Sequence, residues 1–359
     1  MKSSSPKKLL GTGILLSTLV MAGPSAADWY PFPVEVWDPP FDMSSERTQV
    51  DYEPLTKASK AWDICISFPH MKDAYWSAVN YGVVEESRRL GVRMQLVEAG
   101  GYTNLARQIS QIEDCVAGGA DALIIGAISF DGLNNVVNEV RSKDIPVIDV
   151  INGMSSDQLS AKSLVSFGEM GAAAGRYVAA RHPSGGESVK VAWFPGPPGA
   201  GWVEAGNEGF TSAIEASAVE VVETKYGDTG KETQLKLVED TLEAHPDIQY
   251  IIGTAVTAEA ATGLLRARGL ADQIEIMSYY FTPGVHQGIK RGQILAAPTD
   301  STVIQGRIAV DQAVRILEGE DYRKHVGPEL YVIDADNIDS FDRDSSLAAD
   351  GFRPTFGVE

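Results

Sequence analysis

The chain has 359 residues, 44% hydrophobic and 22% charged, with a formal net charge of −19. That length predicts about two domains at ~150 residues each, with sizeable cores. The acidic balance argues against nucleic-acid binding and against attraction to anionic lipid, and two cysteines exclude a disulfide-dense scaffold or a Cys-only zinc cage.

Lys2, Lys7 and Lys8 precede an apolar run from Leu9 to Ala22, and Pro24-Ser25-Ala26-Ala27 supplies small residues before Asp28. This is the layout of a secretory signal peptide over 1–27, and the run is too short to span a bilayer, which needs ~20 apolar residues. The chain is therefore expected to be exported, with no membrane insertion after cleavage. Export brings Cys65 and Cys115 into an oxidising space, where they are disulfide candidates; two buried free thiols are the alternative.

Residues 28–57 mix proline with aromatics, as in Asp28-Trp29-Tyr30-Pro31-Phe32-Pro33 and Trp37-Asp38-Pro39-Pro40-Phe41. Neither helical nor strand periodicity is visible there, so the segment reads as an extended arm. Its large rings predict that it packs on its own domain or on a partner.

From Trp62 a regular pattern begins. Apolar runs at Ile64–Phe68, Met94–Val97, Ala122–Ile125 and Pro146–Val150 predict strands, separated by amphipathic helices at Tyr75–Leu90, Asn104–Ala117 and Gly132–Arg141. The pattern restarts with strands at Val189–Phe194, Val219–Thr224, Tyr250–Gly253, Glu275–Ser278 and Ile294–Ala297. Helices are predicted at Met170–Arg181, Val203–Ala216, Glu232–Ala244, Ala258–Ala267, Gly284–Arg291 and Val303–Glu318. Alternation of this kind means βαβ units and parallel sheets. Gly119–Gly126 and His245–Gly253 echo each other, so the fold class is α/β with two similar Rossmann-like lobes.

Signatures of catalysis are absent: no G-x-S-x-G, H-E-x-x-H, C-x-x-C, Walker loop or G-x-G-x-x-G occurs. No histidine pair stands at metal-ligand spacing. The expectation is a binding protein, not an enzyme, with no cofactor and no metal. Gly196-Pro197-Pro198-Gly199-Ala200-Gly201 reads as a shaped turn at a cleft; two prolines make it a poor phosphate cradle.

Aromatic residues gather where predicted strands end. Asp73-Ala74-Tyr75-Trp76 follows the first strand, Gly100-Gly101-Tyr102 the second, and Tyr279-Tyr280-Phe281 a later one, while Phe167 lies between the halves. Ligands of open parallel sheets bind beyond the carboxyl ends of strands, so these rings are expected to line an interlobe cleft. Ring faces attract a methylated ammonium. Asp73 can balance such a cation, cap the following helix, or do both.

Lys60-Ala61-Trp62, Phe68-Pro69-His70-Met71-Lys72-Asp73-Ala74-Tyr75-Trp76, Leu96–Tyr102, Pro195-Gly196-Pro197, Gly253–Ala261 and Gly351-Phe352-Arg353-Pro354 resemble the type I periplasmic binding proteins, the ribose-binding and LacI-like group. Within it they are most similar to the TorT-like trimethylamine N-oxide sensors. The likeness runs from about Lys57 to the C-terminus. It implies a ligand cleft at a three-crossover hinge, with crossovers near Ser166, Thr299 and Gly327. Lobe 1 is then 58–166 plus 300–327, and lobe 2 is 167–299 plus the tail 328–359.

The resemblance implies trimethylamine N-oxide or a related methylamine as ligand, and a TorS-like sensor histidine kinase as partner. Carried over residue by residue, the ligand cage falls on Asp73, Tyr75, Trp76, Tyr102 and Tyr280; Phe167 and Asp300 are further ligand-binding candidates, Asp300 as a polar partner at the cleft edge. Phe167 stands where TorT-like sequences place tryptophan; it keeps a ring face and lacks the indole N–H. Ile304 also stands where a relative can carry tryptophan, and no function is drawn from it. Two alternatives stay open: a transport-type binding protein delivering a sugar or amine to a permease, and an enzyme acting on a methylamine.

Overall fold

The computed structural model describes Met1 and residues 29–359, so the signal peptide expected over 1–27 lies outside the described residues. The chain opens with a hairpin of β1 (Phe32–Asp38) and β2 (Glu46–Tyr52), paired antiparallel from Phe32 opposite Tyr52 to Asp38 opposite Glu46. The segment expected to be an extended arm is therefore partly strand. Prolines interrupt its alternation, and an edge hairpin has few inward positions; only Val34, Trp37 and Tyr52 of these strands are buried.

Strands and helices then alternate as β3 (Asp63–Phe68), α1 (Ala74–Leu90), β4 (Arg93–Glu98), α2 (Leu105–Ala117), β5 (Ala122–Ile125), α3 (Asn134–Arg141) and β6 (Val147–Val150), with a short β7 (Ala161–Ser163) closing the series. All pairings among these strands are parallel, and Ile66 of β3 lies between Leu96 and Ile124. Ile64, Ile66 and Phe68 pack with α1, whereas Cys65 packs on the other face with Ile112 and Cys115 of α2. Both faces are buried, which explains the continuous apolar runs.

The second series comprises α4 (Phe167–Arg181), β8 (Val189–Gly196), α5 (Gly201–Ile214), β9 (Val219–Tyr226), α6 (Lys231–Ala244), β10 (Tyr250–Gly253), α7 (Ala255–Arg268), β11 (Glu275–Ser278) and α8 (Pro283–Lys290). Its sheet is parallel, in the order β11-β10-β8-β9. β12 (Ala296–Thr299) leads into α9 (Thr302–Glu318), which returns to pack on α1. β13 (His325–Pro328) enters the first sheet between β7 and β1, β14 (Tyr331–Asp334) pairs with β12, and β15 (Gly357–Val358) ends beside β4. The first sheet thus has nine strands, in the order β15-β4-β3-β5-β6-β7-β13-β1-β2.

The tail, expected with the second half, finishes on the first. Asn80 of α1 holds it there, donating to the Thr355 carbonyl at 3.0 Å and accepting from its amide at 2.8 Å. The Phe352 ring meets Tyr81 edge-on at 5.0 Å. No described helix is long and apolar enough to cross a membrane.

Helix contact is closest between α4 and α5. They approach until a methyl group on Gly209 would collide with the Gly168 carbonyl, and one on Gly171 with that of Gly206. Glycine is needed there because backbone meets backbone.

Candidate functional site

The site begins at the N-terminus of α1. Asp73 takes extended backbone angles and its Oδ1 accepts from the Trp76 amide at 3.1 Å, so it caps the helix. The cap sets the first turn so that Tyr75 and Trp76 leave β3 at its carboxyl end. The Trp76 ring packs on Phe68, with centroids 4.7 Å apart, in space that a side chain at Gly126 would fill. Gly100 and Gly101, at φ +88° and +144°, make the turn that delivers Tyr102.

From the other half come Phe167, Trp202, Thr229 and Tyr280. Ser166 caps α4, accepting from the Glu169 amide, and so fixes the first turn that carries Phe167. The glycine-proline loop brings Trp202 to the start of α5; its ring fills the space a Cβ on Gly196 would need. Together Asp73, Tyr75, Trp76, Tyr102, Asn152, Phe167, Trp202, Thr229 and Tyr280 line one narrow, closely packed cavity. Its walls are tied by ring contacts: Tyr75 to Tyr280 at 5.0 Å, Phe167 to Trp202 at 5.4 Å, Tyr102 to Trp202 at 5.9 Å and Tyr280 to Trp202 at 6.2 Å. Every one of these rings except the part-buried Tyr102 is buried.

One carboxylate faces this apolar space. Burial raises the Asp73 pKa above its ordinary 3.8, and the nearby His70 only partly opposes that. His70 lies 4.0 Å from Asp73 and is bonded to Thr229 at 3.0 Å; its own pKa is lowered, chiefly by burial, so it is neutral at pH 7. The nearest lysine in sequence, Lys72, is directed to Asp228 at 3.4 Å. Asp73 is thus a desolvated carboxyl group without a fixed cation, and a cationic guest would favour its ionised form.

Asp300 has a different place from the one expected. It does not line the cavity. It lies behind the cavity wall, accepting from the Tyr75 hydroxyl at 2.6 Å and from Gln305 Nε2 at 2.7 Å. The residue after it, Ser301, has φ +52°, a left-handed turn that starts α9 and aims the carboxylate back at Tyr75. Of Tyr279-Tyr280-Phe281 only Tyr280 reaches the cavity: Tyr279 donates to the Pro195 carbonyl at 2.6 Å and Phe281 packs on Phe341 at 5.1 Å. Cys65 and Cys115 are joined as a disulfide with Cα atoms 6.1 Å apart, away from the cage.

Sequence reasoning misses three lining residues: Asn152, Trp202 and Thr229. Asn152 and Thr229 sit in loops without a motif. Trp202 carries a usable signal, a large ring directly after a glycine-rich turn at a strand's carboxyl end.

Comparison with known proteins agrees with this architecture. Residues 64–321 match the periplasmic binding protein domain family. Periplasmic protein TorT of Escherichia coli K12 is 37% identical over 300 residues, 84% of this chain and 86% of that protein. A crystal structure described as an ABC transporter solute binding protein from Bradyrhizobium sp. BTAi1, with bound bis-tris, is 62% identical; it covers 92% of this chain and all of its own, with a TM-score of 0.80. TorT in complex with the TorS sensor domain, without ligand, is 35% identical over 82% of this chain and 99% of its own, with a TM-score of 0.75. With an α/β fold built from two βα series, a ring-lined cleft and these matches, the chain belongs to the type I periplasmic binding proteins, on their TorT-like branch.

Proposed function

We propose that the protein is a periplasmic sensor component that binds trimethylamine N-oxide or a related methylamine in this cavity and signals to a TorS-like membrane histidine kinase. The observation that carries the ligand class is the desolvated Asp73, without a fixed cation, inside a cage of rings drawn from both halves. Methyl groups gain apolar contact with the rings, the cation meets their faces, and the carboxylate supplies the counter-charge. In this reading the halves act as lobes, 58–166 plus 300–327 against 167–299. Ligand closes them because Tyr75, Trp76 and Tyr102 come from one lobe and Phe167, Trp202 and Tyr280 from the other. The kinase partner is supported by the 35% identity to TorT solved with the TorS sensor domain, both without ligand and in the presence of TMAO.

Isothermal titration of the mature protein with trimethylamine N-oxide, beside betaine, choline and ribose, tests this. Saturable binding of the N-oxide that Trp76→Ala abolishes is expected. Binding of ribose instead would end the methylamine reading. The kinase role is tested by adding protein and ligand to the reconstituted kinase and following its autophosphorylation.

A second reading, capture for an ABC permease, is favoured by the 62% identical protein described as an ABC transporter solute binding protein. The bis-tris bound to that protein is a tertiary amine, which keeps the amine class in both readings. Ligand-dependent uptake with a reconstituted permease, without any kinase response, would select it.

A further inference from the structure

We propose that the indole N–H of Trp202 is the donor that holds an oxygen of the ligand, and so sets a preference for methylamines that carry an oxygen acceptor. The inference rests on the methylamine reading and adds which atom discriminates among methylamines.

Trp202 is 4% exposed, and its Nε1 is buried without a hydrogen-bond partner. Buried polar hydrogens in folded proteins are nearly always paired, so an orphan in a cavity wall marks a place for an incoming acceptor. Three other indoles of this chain do find acceptors: Trp29 on Glu86 at 2.8 Å, Trp62 on Glu318 at 3.0 Å and Trp193 on Asn207 at 3.0 Å. Trp37 is also unpartnered, but it stacks on His325 and does not line the cavity.

Trp202 shares the lining with other donors, the Trp76 indole and the Tyr102 and Tyr280 hydroxyls, but among the lining residues its N–H is the one that is fully buried without a partner. Phe167, packed against it, has no polar hydrogen. Asn152 spends its amide on the Ala127 carbonyl at 2.7 Å and the Tyr102 hydroxyl at 3.0 Å. Thr229 is engaged by His70. The indoles of Trp76 and Trp202 both approach the Tyr102 hydroxyl closely enough to oppose the rise in its pKa, but the Trp202 N–H falls short of full hydrogen-bond geometry there. An oxygen entering between these groups meets Trp202. Asp73 enters the same cavity from the other half, so the site offers an anion and a neutral donor to one small guest. That pairing suits a dipolar N–O group better than a bare tetraalkylammonium, which leaves the N–H still unpaired.

The test compares trimethylamine N-oxide with tetramethylammonium, which carries a fourth methyl group in place of the oxygen, by isothermal titration of wild type and Trp202→Phe. Wild type is expected to prefer the N-oxide. Trp202→Phe is expected to weaken the N-oxide about 10- to 100-fold, the range for loss of a donor to a charged acceptor, and to leave tetramethylammonium within about twofold. Equal N-oxide affinity in the two proteins overturns this inference and leaves the methylamine reading standing. Equal loss of both ligands also overturns it, making Trp202 a ring wall only. Absence of N-oxide binding by wild type overturns the methylamine reading, and this inference with it. Should Trp202→Phe not fold, replacing the Trp202 indole by its benzothiophene analogue, which keeps the bicyclic ring and lacks the N–H, decides by the same criteria.

Discussion

Arg47 on β2 donates to both carboxylate oxygens of Glu169 on α4, at 2.5 and 3.0 Å, and to Glu35 at 2.9 Å. β2 is the edge strand of the first sheet, and α4 carries Phe167 into the cavity from the other half. The amino-terminal hairpin therefore clasps the helix that supplies one wall of the cage. Both side chains are part-exposed, so screening keeps the pair to about 0.2–1 kcal/mol. Arg47→Ala and Glu169→Gln are each expected to weaken ligand binding by about two- to fivefold through loss of the closed form, and to be non-additive in a double-mutant cycle followed by titration. Strict additivity would show that the clasp does not act on closure.

Tyr75 and Asp300 separate support from ligand contact. Tyr75→Phe keeps the ring face in the cavity and removes a donor from a buried carboxylate whose Oδ1 already lacks a partner. The expected cost is about 1–3 kcal/mol of folding stability, read by denaturant melts, with ligand affinity changed by less than about threefold. A large affinity loss with unchanged stability would place the hydroxyl on the ligand instead.

Asp73 makes ligand binding depend on pH. Its folded pKa is raised by burial, so the folded, ligand-free protein binds this proton more tightly than the unfolded chain does. The resulting cost to stability is absent below the ordinary value of 3.8 and is carried in full once pH exceeds the raised value. Cation affinity has the opposite dependence, rising with pH through that same window as the carboxylate ionises. Titrations with tetramethylammonium, which has no proton of its own, should show this rise. Asp73→Asn, which retains the capping oxygen, should flatten it and raise the ligand-free melting temperature at pH 7.

The α4–α5 contact sets the spacing of two cage walls. Gly209→Ala drives a methyl into the Gly168 carbonyl, next to Phe167. Overpacking of this kind costs about 1–3 kcal/mol, and the helices must separate to relieve it. Lower thermal stability together with weaker ligand binding is expected, whereas Gly263→Ala, with open space around it, should change neither.

The features legible in the sequence are those set by local chemistry. Continuous apolar runs mark β3, β5 and β10 because each is buried on both faces, and Asp73-Ala74-Tyr75-Trp76 announces a capped helix with rings at a strand's carboxyl end. Those features depend on neighbours in sequence. Tertiary structure decided the rest. The hairpin of β1 and β2 exists because β13, near the far end of the chain, offers an edge to pair with. Asp300 became a support for Tyr75 because the left-handed turn at Ser301 aims it away from the cavity. Trp202 entered the cage because a turn in one half placed it against Tyr102 of the other. Sequence periodicity encodes which face of an element is buried. It does not encode which distant group comes to lie against that face, and both the ring-enclosed Asp73 and the unpaired indole are made by that second choice.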